Sequence, residues 1–210
     1  MDMQVRLTKR QRQAIETKKH LFETAVRLFN EKGYDNVTVE EITSQAGVAK
    51  GSFYTYFRSK SEIVIEEFRN IDDYYRKYAR NLKRYPTAQK RIVAFTRAQL
   101  KYVRDVVDIK LLKLLYVNNI AVPDSEHILI DTDRYLHHLM REMIEFGQER
   151  GELRSDVSAE TLSLYVNRAM RSMFLDWAIS DAGFDLVTEG VRFCEVVLCP
   201  ALLSGARAYE

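Results

Sequence analysis

Apolar residues recur every three or four positions along most of this chain, and no stretch alternates with a period of two. That pattern predicts helices and no strands. Val39, Ile42 and Ala46 share one face of a short helix, which Thr38 caps, with Glu41 three residues on. Gly47 stops it, because glycine takes the left-handed conformation without a Cβ penalty. A second short helix is predicted from about Lys50 to Tyr56, with Phe53 and Phe57 facing inward. Upstream, a helix beginning at Thr8 or Gln13 and running to Lys32 carries Ile15, Phe22, Val26 and Phe29, with Ala25 beside them. These are expected to pack on Ile42 and Phe53. Downstream, Ser59-Lys60-Ser61-Glu62 is a second capping pattern, opening a helix without a breaker until Pro86.

The rest of the chain continues in helices. They are expected at about Thr87–Asp105, Val107–Asn118, Glu126–Arg150, Ser158–Ser180 and Asp185–Leu203, with a loop over Asn119–Ser125. The prediction is an all-α protein of about nine helices. Three prolines and eight glycines in 210 residues agree with long helices rather than a turn-rich β fold.

Two short helices joined by a tight glycine turn read as a helix-turn-helix. The second of them leaves Lys50, Gly51, Ser52, Tyr54, Thr55 and Tyr56 on its outer side. Hydroxyls, a cation and a glycine near the N-terminus suit a helix that enters a major groove. Lys60 lies where free N–H groups, the helix dipole and an ammonium coincide, so it is read as a phosphate contact. Thr38 is read as part of the same face.

These residues carry a resemblance. Gly33-Tyr34, Thr38-Val39-Glu40-Glu41-Ile42 and the run from Ala46 to Glu62 resemble the DNA-binding domain of TetR-family transcriptional regulators, over about Leu21 to Phe68. The resemblance implies a helix-turn-helix domain, placed at 1–58, followed by a helical ligand-binding and dimerisation domain at 59–210. It implies a ligand-responsive regulator, a repressor that leaves its operator when a small hydrophobic or aromatic effector binds. The partners implied are double-stranded operator DNA, an unknown small-molecule effector and a second copy of the chain. The family carries Ser or Thr where this chain has Ala49, so the second helix is expected to lack a side-chain cap, at a cost of ~1 kcal/mol.

Charge sharpens the picture. The net charge is +2, but residues 1–60 hold eleven Lys or Arg against seven Asp or Glu, an excess of four, which leaves −2 for the remainder. A basic N-terminal third suits nucleic-acid contact by one end. Lys9, Arg10 and Arg12 are read either as a basic arm reaching DNA or as a solubilising tail. No apolar run approaches the length of a membrane span, and the charged N-terminus is not a signal peptide, so a cytoplasmic protein is expected.

Toward the C-terminus, Met170, Phe174 and Trp177 lie on one broad apolar face, and Val191, Cys194, Val197 and Leu198 extend it in the last helix. Two such helices supply half of a four-helix bundle across a two-fold axis, and a homodimer is expected there. Tyr78, Phe95, Tyr102, Tyr116, Phe146 and Phe174 are candidates for the effector pocket that the resemblance implies. Cys194 and Cys199 are expected as buried thiols on different faces of a helix. Arg168 and Arg171 are expected to be solvated, as are His127, Asp131, His138 and Glu142, whose spacing completes no metal site. No cofactor is expected. No nucleophile elbow, phosphate-cradling glycine loop or clustered catalytic set is present, so an enzyme is not expected. The alternative is a helical small-molecule-binding or adaptor protein with little DNA-binding activity.

Overall fold

Thr8 opens the first helix with a complete capping box. Its hydroxyl accepts from the Gln11 N–H at 3.2 Å, and the Gln11 side chain accepts from the Thr8 N–H at 2.8 Å. The computed structural model describes residues 8–107, 109–121 and 127–205. It divides into two compact units, Met1–Glu66 and Glu67–Glu210.

The first unit holds α1 (Lys9–Lys32), α2 (Val39–Gln45), α3 (Lys50–Tyr56) and the opening turns of α4 (Lys60–Leu82). Its core is built on Leu21, Ala25, Leu28, Phe29, Val37, Ile42, Phe53, Phe57, Ile63 and Val64, each at most 4% exposed. Of the α1 residues expected there, Phe29 is buried and Phe22 and Val26 are half-buried, but Ile15 is 55% exposed. Ala25 is buried as expected, and Leu21 and Leu28 join it and Phe29, which rotates the buried stripe away from Ile15, Phe22 and Val26. Ile63 and Val64 explain why this unit reaches past residue 58. Two turns of α4 are needed to close its core.

The α2–α3 turn is a Schellman ending. Gly47 has φ +66°, its N–H donates to the Ser44 carbonyl at 3.2 Å, and the Val48 N–H donates to the Thr43 carbonyl at 3.0 Å. This geometry fixes the angle at which α3 leaves α2.

The second unit holds the remainder of α4, then α5 (Ala88–Tyr102) with a π-helical turn at Val103–Val107, α6 (Ile109–Ala121), α7 (Tyr135–Glu149) and α8 (Ala159–Ile179). The last helix runs as α9 (Leu186–Phe193), a second π turn (Cys194–Leu198) and α10 (Cys199–Leu202). Counted as continuous helices these make nine, and no strand occurs among the described residues. α5 is central, packing on both α7 and α9. At Gly190 a Cβ would lie 2.7 Å from two methyl carbons of Leu100, so only glycine lets α9 approach α5 this closely.

Two expectations are corrected here. The helix expected from Glu126 begins only at Tyr135, because Asp131 accepts from the Asp133 N–H at 2.9 Å and turns the chain first. The cysteines do not lie on different faces. The π turn lets the Cys199 N–H bond the Cys194 carbonyl, five residues back, and this aligns the two buried sulfurs 3.9 Å apart.

Candidate nucleic-acid interface and buried cavity

The interface is built on α3. Phe53 and Phe57 are 0% and 1% exposed, anchoring one side of the helix in the core of its unit. The other side is open. Lys50, Gly51, Tyr54 and Thr55 are exposed, and Ser52 and Tyr56 are half-buried. Tyr54 is 54% exposed and holds its ring edge-on to Phe53 at 5.4 Å. A Cβ at Gly51 would meet nothing within 4 Å, so the surface there is flat and approachable.

Thr38 caps α2 through its hydroxyl, which accepts from the Glu41 N–H at 3.1 Å. The Glu41 carboxylate does not complete a box; it pairs with Lys32. Ala49 is the N-cap of α3 and makes no side-chain cap bond. Lys50 is exposed and paired with Glu40, which raises the lysine's affinity for its proton and lowers that of the carboxylate.

Lys60 departs from its expected role. Its ammonium donates to the Tyr34 and Val37 carbonyls at 2.5 and 2.8 Å and sits 4.1 Å over the Tyr34 ring. Burial pushes its pKa down, opposed by Asp35. Both contacts tie the start of α4 to the α1–α2 connection, so Lys60 serves the fold of the unit.

Lys9, Arg10 and Arg12 form no arm. They lie in the first turn of α1, all exposed. Arg10 lines a groove with Gln13, Thr17, Ala49, Ser52 and Tyr56, which brings the start of α1 beside α3 on one surface. Gln13 and Thr17 are additions to the face that sequence reading missed. Their spacing to Arg10, three and seven residues, was the available signal.

The second site is a cavity of about 60 Å³ within the second unit. Phe68, Ile71 and Tyr75 come from α4, Gln99 from α5, Leu112 and Tyr116 from α6, His137 from α7, and Asn167, Met170, Arg171 and Phe174 from α8. Arg134 closes it. Its guanidinium grips the Asp72 carboxylate through two hydrogen bonds of 3.1 Å and donates to the Ile128 and Phe68 carbonyls, both at 3.3 Å. Both side chains of this pair are about nine-tenths buried.

The other polar groups are less well matched. His137 Nδ1 and Asn167 Nδ2 are 3.1 Å apart. Burial, then Arg134 and Arg171, push the His137 pKa below its ordinary value, so the imidazole is neutral near pH 7. Burial also lowers the pKa of Arg171, the adjacent Tyr116 opposing it.

Of the expected pocket residues, Tyr116 and Phe174 line the cavity. The other four do not. Phe95 is core against Tyr75, Tyr102 packs on Tyr74, Tyr78 lines a separate surface groove, and Phe146 lies beneath Arg91. Arg171, expected to be solvated, is half-buried in the cavity wall.

The expected seam also changes. Met170, Trp177, Val191, Cys194 and Leu198 are buried within a single chain, so they are core. Phe174 is half-buried and Val197 is 48% exposed. The outer stripe of α8 is instead Tyr165, Ser172 and Ile179, with Ile179 74% exposed; Val196, 65% exposed, and Val197 lie on the last helix.

Comparison with known proteins places this geometry. The model of bacterial regulatory proteins of the tetR family matches residues 21–66. Over 50 residues, 24% of this chain and 17% of the relative's length, the chain is 40% identical to the HTH-type transcriptional regulator YerO of Bacillus subtilis. Over 94% of this chain and 97% of the relative it is 22% identical to the HTH-type transcriptional regulator AcrR of Shigella flexneri. Among solved structures it resembles Thermus thermophilus FadR, a TetR-family transcriptional repressor in complex with lauroyl-CoA. The TM-score is 0.72 at 22% identity, covering 92% of this chain and 99% of that one.

Proposed function

Because this chain belongs to the TetR family of transcriptional regulators, we propose that it is a ligand-responsive repressor, released from operator DNA by an effector bound in the second unit. The observation that carries the reading is α3. Its aromatic anchors Phe53 and Phe57 are fully buried, while Lys50, Gly51 and Tyr54 stand exposed beyond a Schellman turn. A rigidly held helix with a polar, aromatic outer face suits a major groove, and Arg10 on the same surface suits the flanking phosphates. Thr38, Ser52 and Tyr56 complete the proposed face. The repressor named among the relatives, bound to lauroyl-CoA, supports response to a small molecule. The proposed division of labour gives DNA to the N-terminal unit and the effector to the C-terminal one.

Paired half-sites require a homodimer. The exposed stripe of Tyr165, Ile179, Val196 and Val197 is the proposed seam, and Val197→Asp should sediment as a monomer because it buries an ion in an apolar contact. Among the described residues no helix is long and apolar enough to cross a membrane. A cytoplasmic location fits a protein that binds the chromosome.

The deciding experiment selects bound DNA from a random pool and measures affinity for the winner. Lys50→Ala and Tyr54→Ala should weaken the winner by roughly tenfold, and random DNA by much less. Affinities within twofold of the parent protein for both variants would refute α3 as the reading helix.

A further inference from the structure

The cavity has a donor–acceptor imbalance that identifies a ligand class. Gln99 and Asn167 line it at 2% and 5% exposure, and the side-chain oxygen of each has no hydrogen-bond partner. Buried polar groups are nearly always paired, so two orphans in one cavity call for an explanation. Turning Asn167 over does not cure its problem. Asn167 Nδ2 already faces His137 Nδ1, so turning Asn167 moves the vacancy to its nitrogen. A hydroxyl serves either orientation, because it both donates and accepts.

Charge adds a second requirement. Asp72 neutralises Arg134, and His137 is neutral. Arg171 remains, half-buried in the wall, with no carboxylate among the described residues paired to it. One uncompensated cation matches one monoanion. A phosphate dianion would leave charge unbalanced, and an ammonium would be repelled by Arg171. The volume, about 60 Å³, is several times the ~10–15 Å³ that one water needs, which suits a compact acid and not a long chain.

We propose that this cavity binds a small hydroxylated monocarboxylic acid. Its carboxylate lies on Arg171 and its apolar frame against Phe68, Met170 and Phe174; its hydroxyl donates to Gln99 Oε1 and accepts from Asn167 Nδ2, with Asn167 turned so that its oxygen accepts from His137 Nδ1–H. This deepens the effector reading of the same cavity and rests on it for any effect on DNA, so binding is tested without DNA.

Calorimetry on the full chain compares 3-hydroxybutyrate with butyrate and with the uncharged alcohol 1,3-butanediol, and glycolate with acetate. In at least one set the hydroxy acid should bind about tenfold more tightly than the matched compound lacking the hydroxyl, and in the four-carbon set more tightly than the alcohol by a similar factor. Arg171→Gln should weaken the hydroxy acid by about tenfold or more and leave the alcohol unchanged. Arg171→Lys, which keeps the charge, should fall between the two and serves if the glutamine variant fails to fold. Gln99→Met should abolish the preference for the hydroxyl while the ligand-free protein melts no lower, since an unpaired buried acceptor has been removed. No binding by either hydroxy acid, equal binding of the matched acids, or indifference to both Arg171 changes would overturn the proposal. A chain that binds the hydroxy acid yet ignores all DNA would overturn the regulator reading and leave this one standing.

Discussion

Lys60 holds two backbone carbonyls of the α1–α2 connection, and its fate on mutation follows from that. Lys60→Ala leaves the Tyr34 and Val37 carbonyls without their charged donor. It should cost the N-terminal unit about 1–2 kcal/mol in urea denaturation. The slope of log affinity against log salt should stay unchanged, since no phosphate contact is lost. A slope flatter by about one unit would restore Lys60 to the DNA face. The sequence placed Lys60 correctly at a helix N-terminus, but nothing in local spacing shows that a side chain reaches 26 residues back. The cavity shows the same limit. Arg171 falls opposite Trp177 on a helical wheel and was read as solvated, yet α6 covers that side through Tyr116, whose hydroxyl donates to the Arg171 carbonyl at 2.9 Å. The signal was available at Gln99 and Asn167, polar residues set among Ala98, Leu100, Val166 and Met170.

Among the elements, α3 is short, uncapped and held by its two phenylalanines. Ala49→Ser supplies a hydroxyl to the free N–H groups of its first turn. The helix should gain about 0.5–1 kcal/mol, read as slower amide exchange at Phe53 and Tyr54. Exchange rates identical to those of the parent protein would mean that the Ser hydroxyl does not cap. Helix starts and stops are legible at Thr38, Gly47, Ser158 and Asp185, which act as their types suggest, whereas the Ser59 hydroxyl, expected to cap α4, bonds that of Ser61 at 2.7 Å. The buried face of α1 was not legible, because it carries two helically spaced apolar stripes and only tertiary packing chooses between them. Nor were the π turns, since one extra residue per turn leaves no mark in composition. That single residue is what brings Cys194 against Cys199.

At the scale of the whole molecule, pH and ligand act on the same wall of the cavity. His137 binds its proton less readily folded than unfolded. Its contribution to stability is therefore complete above the ordinary value of 6.5 and is lost as pH falls through that value toward the depressed one. Melting temperature should drop as pH falls below 6.5, and His137→Gln should flatten the drop. An unchanged profile in the variant would remove His137 from the account. α4 gives Ile63 and Val64 to the core of the first unit, and Phe68, Ile71 and Tyr75 to the cavity of the second. A ligand shifts the DNA-binding state only by its difference in affinity for the two states, and DNA must weaken the ligand by the same factor. If that coupling travels along α4, softening the helix at its exposed positions Arg69 and Asn70 should uncouple the sites. Replacing both with glycine costs the helix about 1 kcal/mol each. Ligand affinity without DNA should remain within about threefold, since neither side chain lines the cavity, while the ligand-induced loss of DNA affinity shrinks toward none. Full release by ligand in the double-glycine protein would show that coupling takes another route, with the dimer seam the next place to cut.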